Sequence, residues 1–168
     1  MGPSTSFDSD LIAMLPRLRR FAHTLSRNGT DADDLAQATI ERALRSRSQW
    51  QAGTRLDSWL YRIMRNLWID TVRSRGRREK FEAPMEEAER IGDDPRDVID
   101  ASLELKRMMS ALDRLPDEQR EVVSLILLEG FGYRETAEML GLPIGTVSSR
   151  LVRGRTALLE LVRIRNGN

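Results

Sequence analysis

The residues with the clearest chemical potential are the arginines and tryptophans of residues 59–80, which read WLYRIMRNLWIDTVRSRGRREK. This stretch holds two of the chain's three tryptophans and seven basic residues. Arginine and lysine neutralise phosphates, and aromatic rings stack on unpaired bases, each stacked base contributing about 1–3 kcal/mol. The combination predicts a helix that grips single-stranded nucleic acid.

Helical spacing divides this segment into two faces. The apolar face, predicted to be core, holds Leu60, Ile63, Met64, Leu67 and Thr71. The cationic side and the aromatic margins supply the candidate contacts Trp59, Tyr61, Arg62, Arg65, Asn66, Arg73 and Arg77. Two plainer interpretations stay open: the tryptophans pack in or beside the core, and the basic end is a solvated terminus favoured by the helix dipole.

A second candidate site rests on the spacing of Ala137, Gly141 and Val147. A helix-turn-helix needs a small residue where its helices cross, a glycine in the turn and an aliphatic residue inside the second helix. Pro143 falls where that second helix begins, a place where a missing amide donor costs nothing. The spacing therefore predicts a DNA-binding helix-turn-helix.

The second helix, predicted over residues 143–161, has an inner face of Val147, Leu151 and Leu158. Its outer face supplies the candidate contacts Thr146, Ser148, Ser149, Arg150, Arg153 and Arg155. Arg153 suits a bidentate contact to guanine, while Ser149, Arg150 and Arg155 suit phosphates. The plainer interpretation is a helical hairpin whose arginines are solvated.

An acidic helix precedes the basic one, in the stretch DADDLAQATIERAL. Its exposed positions are Asp33, Asp34, Gln37 and Glu41, and its predicted inner positions are Leu35, Ile40, Ala43 and Leu44. Acids in a first turn are ordinary capping chemistry. If this surface is functional, its charge favours a protein partner over DNA.

The elements that must position these residues are all helical, because apolar residues recur at three- and four-residue spacing and β-type alternation is absent. A first helix is predicted over residues 8–27, with Pro16 bending it. Asn28 and Gly29 end that helix, and Thr30 or Asp31 caps a second helix over residues 32–47. Residues 48–58 form a loop before the basic helix.

The net charge of +1 hides three blocks. Residues 1–80 carry a net charge of +6, residues 81–100 carry −6, and residues 101–168 carry +1. The acidic block also contains two prolines and few apolar residues, which is linker composition. We expect an all-α chain with two small helical domains, residues 1–80 and 102–168, joined by an acidic flexible linker over residues 81–101.

Composition excludes several function classes. There is no cysteine and one histidine, His23, so disulfides, thiolate zinc sites and cysteine nucleophiles are excluded and a histidine metal site is not expected. The sequence has no apolar run long enough for a membrane span and no signal-peptide start. We expect a cytoplasmic protein that is not an enzyme, with no cofactor, metal or small-molecule substrate.

Two strings in this chain resemble the extracytoplasmic-function (ECF) sigma factors of bacterial RNA polymerase. The first runs from DADDLAQATIERAL to LDSWLYRIMRNLWIDTVRSRGRR, and the second is ALDRLPDEQREVVSLILLEGFGYRETAEMLGLPIGTVSSRLVRGR. Within that family, the stretches RFAHTLSRN and QAGTRLDSWLYRIMRN resemble the alphaproteobacterial general-stress group.

The resemblance implies a role for each candidate site. It implies that Asp33, Asp34, Leu35, Gln37 and Glu41 bind core RNA polymerase. The basic helix and the loop before it would hold the melted non-template strand of the −10 promoter element, and the helix-turn-helix would read the −35 element. The resemblance also implies that an anti-sigma protein controls the activity of the chain.

The acidic residues 81–100 acquire two interpretations from the resemblance: imitation of a polyanion in a polymerase channel, or a plain flexible tether. Two other functions remain open for the chain. One is a sigma-like decoy that sequesters an anti-sigma protein, although it would not need the arginines. The other is a conventional dimeric helix-turn-helix repressor or activator, which leaves the first 80 residues without a role.

Overall fold

The computed structural model describes residues 4–81 and 103–166, and these form helices with short connections and no strand. The chain divides into two compact units, separated between Asp93 and Asp94. The prediction of an all-α chain with two helical domains is confirmed. The predicted linker, residues 81–101, lies outside the described residues except for Phe81, the last residue of a helix.

Within residues 4–81, the first unit contains three helices that pack against one another: α1 (Ser4–Ser26), α2 (Gly29–Arg45) and α3 (Leu56–Phe81). A short 3₁₀ turn, Arg47–Gln49, follows α2. Helix α1 continues through Pro16. Proline has no amide hydrogen, so the carbonyl one turn earlier lacks its helical partner, but Pro16 is exposed and water can reach that carbonyl. Helix α1 also begins four residues before the predicted start.

The junction between α1 and α2 corrects the predicted cap. Asn28 is the N-cap, and its side-chain oxygen accepts a hydrogen bond of 2.9 Å from the amide of Asp31. The prediction of Thr30 or Asp31 as the cap is wrong, and α2 begins three residues early as a result. Arg27 takes the left-handed conformation, with φ of 60°, that lets the chain turn between the two helices.

The core of the first unit lies where α3 crosses the other two helices. Leu18 and Phe21 of α1 and Leu60, Tyr61 and Met64 of α3 are all fully buried. The rings of Phe21 and Tyr61 stand edge to face, with centroids 4.7 Å apart. This contact between Phe21 and Tyr61 helps to fix the rotation of α3 about its own axis, and with it the face that α3 shows to solvent.

The second unit contains α4 (Leu103–Leu112), α5 (Asp117–Val123), α6 (Tyr133–Leu140) and α7 (Ile144–Asn166). One turn of π-helix, Ser124–Leu128, extends α5. Arg120 is buried in this unit, where it donates to the carbonyl of Leu115 at 2.9 Å and to Asp117 at 2.6 Å. These bonds tie the start of α5 to the loop before it.

Helices α5 and α7 approach closely at Gly154. A Cβ atom at this position would lie 2.6 Å from Cγ2 of Val123 and 3.2 Å from Cβ of Gln119. No larger residue fits without moving one helix. Gly154 therefore sets how tightly α7 packs on the rest of the unit.

Candidate nucleic-acid and protein interfaces

The outward face of α3 is a cationic stripe formed by Arg62, Asn66, Arg73 and Arg77, which we call the α3 stripe. All four side chains are exposed, and Trp59 lies half-buried at its N-terminal end. Four residues of the predicted nucleic-acid site therefore share one surface. Arg65, half-buried, lies beside the stripe rather than in it.

Tyr61 corrects the predicted site. It was expected on the flank of α3 as a DNA contact, but only 1% of it is exposed because its ring packs on Phe21. Helix α3 is buried by both α1 and α2, so its core face is wider than the apolar stripe and takes in Tyr61. In this conformation Tyr61 packs in the core of the first unit and offers no surface to DNA.

Arg75, in the basic end of α3, is held by the protein itself. Its guanidinium makes two bonds to the carboxylate of Asp31, at 2.7 and 2.9 Å, and lies 5.7 Å from the ring centroid of Trp68. The hydrogen bonds to Asp31 raise the pKa of Arg75 above its ordinary value. Trp68 is thus occupied by Arg75, which favours the packing interpretation for this tryptophan.

The loop before α3 has an exposed tip, and contacts with the rest of the unit hold its ends. Residues 51–55 are exposed, and Gly53 takes a φ of 90°. Beyond its far end, in the first turn of α3, Asp57 accepts bonds from Arg55 at 2.9 Å and from Arg17 of α1 at 3.5 Å. Burial alone would raise the pKa of Asp57, but the bonds from the Arg55 side chain and the Ser58 amide, with the charges of both arginines, hold it below its ordinary value of 3.8.

An aromatic cluster that no sequence pattern predicts holds the near end of this loop. The ring of Phe7 lies 5.3 Å from that of Trp50 and 6.4 Å from that of Trp59, centroid to centroid. Phe7 stands four residues before Leu11, so the apolar stripe of α1 carried a signal for its burial. No sequence pattern indicates its contact with two tryptophans that are distant in the chain.

The outward side of α2 is an acidic surface formed by Asp33, Asp34, Gln37 and Glu41, all exposed, which we call the α2 face. Gln37 donates to Glu41 at 3.3 Å, one helical turn away. Leu35 was predicted to contact a partner, but it is 6% exposed and can act only by holding α2 in place. Leu44 was predicted to be buried, which is wrong: it is 49% exposed and, by helical spacing, lies on the α2 face.

The helix-turn-helix forms from α6 and α7 as predicted. Gly141 has a φ of 64° and ends α6, and the amide of Leu142 donates to the carbonyl of Ala137 at 3.0 Å. The carbonyl of Pro143 accepts the first bond of α7, from Thr146 at 3.0 Å. Val147 is fully buried and Ala137 is 6% exposed, so these two diagnostic positions lie inside the unit, while Gly141 forms the exposed turn between the helices.

The outer face of α7 carries the predicted DNA contacts. Ser148, Ser149, Arg153 and Arg155 are exposed, and Thr146 is half-exposed. Arg150 makes an ion pair of 3.4 Å with Glu118, whose side chain is 71% exposed. Arg153 and Arg155, two positions apart, point to opposite flanks of the helix because residues turn about 100° each.

The described residues offer neither a metal site nor a membrane-spanning helix. Within residues 4–81 and 103–166, no group of three or more His, Cys, Asp or Glu side chains is arranged to hold a metal ion. No helix in that part of the chain combines the length and hydropathy of a membrane span.

Comparison with known proteins gives the family of each unit. Residues 11–78 match the sigma-70 region 2 family, and residues 105–158 match the sigma-70 region 4 family. The chain is 39% identical over 159 residues to the ECF RNA polymerase sigma factor EcfG of Rhodopseudomonas palustris, covering 95% of this chain and 86% of that protein. It is 41% identical over 147 residues to the ECF sigma factor SigE of Mycolicibacterium smegmatis, covering 86% of this chain and 56% of that protein.

Solved structures agree with the sequence relatives. The sigma factor RpoE of Bartonella quintana, solved with its anti-sigma factor NepR, superposes with a TM-score of 0.77 at 32% identity, covering 95% of this chain and 98% of that one. CnrH, solved with the cytosolic domain of CnrY, gives a TM-score of 0.66 at 26% identity, covering 97% and 91% of the two chains. The fold is that of a two-domain sigma factor. This chain belongs to the ECF sigma factors of the sigma-70 family.

Proposed function

We propose that this sigma factor directs core RNA polymerase to promoters through three separate surfaces: the α2 face, the α3 stripe with its loop, and the outer face of α7. The observation that carries the proposal is the separation of charge within the first unit. An acidic face on α2 and a cationic stripe on α3 suit different partners, a protein and a nucleic-acid strand. The activity is binding and strand capture, with no enzymatic step.

The α3 stripe holds the non-template strand of the −10 element. Arg62, Arg73 and Arg77 face solvent along one side of the helix, where they can neutralise successive phosphates. Asn66 lies among them and offers both donors and an acceptor to a base edge. Trp59, half-exposed at the end of the stripe next to the loop, is the candidate stacking residue for an unpaired base.

The outer face of α7 reads the −35 element in the major groove. The N-terminal part of a recognition helix contacts base edges, which assigns that role to Thr146, Ser148 and Ser149 together with Arg153. Arg155, on the opposite flank from Arg153, suits a phosphate of the other strand. Arg150 is already paired with Glu118 at the surface, so it reaches a phosphate by exchanging one anion for another.

The α2 face binds core polymerase. Asp33, Asp34 and Glu41 supply charge, Gln37 supplies hydrogen bonds, and the exposed Leu44 adds an apolar contact. Interfaces commonly combine a small apolar centre with a polar rim. Burial of Leu35 and Ala36 beneath this face keeps the helix fixed when the partner docks.

An anti-sigma protein regulates the factor by covering these surfaces. Support comes from the Bartonella protein, which was solved in complex with its anti-sigma factor NepR. Resemblance to EcfG and to the Bartonella protein favours the alphaproteobacterial general-stress group. The cytoplasm is the compartment where such a factor meets polymerase and DNA.

The competing function is a decoy that sequesters the anti-sigma protein without binding DNA. A decoy has no use for four exposed cationic or amide side chains aligned on α3, nor for exposed arginines on both flanks of α7. The arrangement of the arginines therefore favours a working sigma factor.

Surface-specific variants test the proposal. The double variant Asp33→Asn, Glu41→Gln should weaken binding to core polymerase. Its affinity, without polymerase, for a duplex selected to bind the helix-turn-helix should be unchanged. Arg153→Ala should do the reverse, lowering affinity for the selected duplex about tenfold, as expected for loss of one bidentate base contact. Equal loss of both activities in either variant would contradict separate surfaces, and a folded chain that binds no core polymerase would favour the decoy.

A further inference from the structure

The aromatic cluster at the start of α1 has a role beyond packing. Phe7 is 2% exposed, and its ring contacts both Trp50, the residue before the exposed loop tip, and Trp59, the residue at the end of the α3 stripe. These two tryptophans are nine positions apart in the chain and bracket residues 51–58. One ring therefore holds both ends of the segment that the proposed function assigns to strand capture.

Further contacts fix Phe7 itself. The guanidinium of Arg47 lies 4.9 Å from the centroid of the Phe7 ring and also pairs with Asp8 at 3.2 Å. Arg47 belongs to the 3₁₀ turn that leads into the loop, so the start of α1 is tied to the chain just before Trp50 as well. The other end of the loop is tied to α1 independently, through Asp57 and Arg17.

We propose that Phe7 is a positioning residue for promoter opening: it holds residues 50–59 in the arrangement that receives the unpaired −10 strand. Phe7 lies outside residues 11–78, the part of the chain that matches the region 2 family. The inference rests on the proposed function, because it gives Phe7 a part in the strand capture assigned to the loop and to Trp59.

The physical reason is preorganisation. A loop with an exposed tip and a glycine at φ of 90° has many conformations when its ends are free. Holding the ends restricts the loop before DNA arrives, so strand binding loses less conformational entropy. Loss of the Phe7 ring should therefore weaken promoter opening more than it weakens docking on polymerase, which uses α2.

The test compares Phe7→Leu with Leu18→Ala in the full chain assembled with core polymerase. Phe7→Leu keeps an apolar side chain but removes the ring that both tryptophans contact. Leu18→Ala is the control: Leu18 is fully buried in the same helix, about 16 Å further along its axis, and its truncation costs more stability than the Phe7 change. Both variants are assayed at a temperature where circular dichroism shows them folded.

Open complexes are measured by permanganate reactivity of unpaired thymines on two templates, a duplex promoter and one with a mismatched, pre-opened −10 element. Phe7→Leu should lower opening about fivefold on the duplex, which is the lower end of the range for one stacked base. On the pre-opened template the loss should be less than about twofold, because that template needs no melting. Leu18→Ala should stay near the unchanged chain on both.

Two results would overturn the inference while leaving the proposed function intact: normal duplex opening by Phe7→Leu, or an equal loss in Leu18→Ala. If the unchanged chain opens neither template with core polymerase, the proposed function itself fails.

Discussion

Arg73 and Arg75 show at the residue scale that charge and spacing alone do not define a site. They stand two positions apart on α3, and both belong to its basic end. Arg73 faces solvent on the α3 stripe, whereas Arg75 bonds to Asp31 and lies against the ring of Trp68. We interpret Arg73 as a nucleic-acid contact and Arg75 as a tie between α2 and α3.

Alanine substitutions should separate these two roles. Arg73→Ala should leave the free energy of unfolding within about 0.5 kcal/mol of the original and reduce the salt dependence of strand binding by about one phosphate contact. Arg75→Ala should cost about 1–2 kcal/mol of stability, because Asp31 loses two charge-assisted bonds at a half-exposed site. Urea unfolding and a salt series of strand-binding titrations measure both effects. A stability loss in Arg73→Ala as large as that in Arg75→Ala would contradict the assignment.

Asp57 makes a prediction about pH. Its pKa in the folded chain lies below the ordinary value, so its ionised form stabilises the fold at neutral pH, and this contribution is lost as pH falls from about 4 through the folded-state pKa. Asp57→Asn should lower the melting temperature at pH 7 and flatten its decline on acidification. Melting curves between pH 7 and 3 measure this change. Parallel declines in both proteins would show that Asp57 carries no pH-dependent stability.

At the scale of elements, Gly154 determines how α7 is presented. Gly154→Ala places a methyl group 2.6 Å from Val123, so α5 and α7 must separate, at a cost of about 1–3 kcal/mol. Duplex binding through α7 should fall with it, while binding to core polymerase through α2 is unchanged. Calorimetry and a DNA titration measure the two effects.

Gly145→Ala is the matched control, since no atom lies within 4 Å of a Cβ there. It lies in the same helix as Gly154 and should leave stability unchanged or slightly raised, because alanine restricts the unfolded chain. Equal melting temperatures for the two alanine variants would contradict the tight approach of α5 and α7.

The elements also show what the sequence can and cannot predict. The helices and the turn at Gly141 were predictable because apolar spacing and a left-handed glycine are local signals. The cap was mispredicted because Asn28, Thr30 and Asp31 are all good caps and only the fold selects one. Tyr61 was misplaced because the width of the buried face of α3 depends on two other helices. The meeting of Phe7 with Trp50 and Trp59 joins segments that are distant in sequence, and no local pattern encodes it.

At the scale of the whole molecule, function depends on two helical units that present different surfaces. In the proposed function, the first unit supplies the α2 face for a protein and the α3 stripe for a single strand, and the second unit supplies α7 for a duplex. Because each surface belongs to a separate set of helices, a substitution in one should leave the others working.

The most direct test of the central claim is reconstituted transcription, with this chain and bacterial core polymerase on fragmented genomic DNA and mapping of RNA 5′ ends. We predict start sites that require both proteins and share two spaced upstream elements. Arg62→Ala combined with Arg73→Ala should abolish these starts while binding to core polymerase persists. Absence of core-dependent initiation from a folded chain, or initiation unaffected by loss of both arginines, would contradict the account.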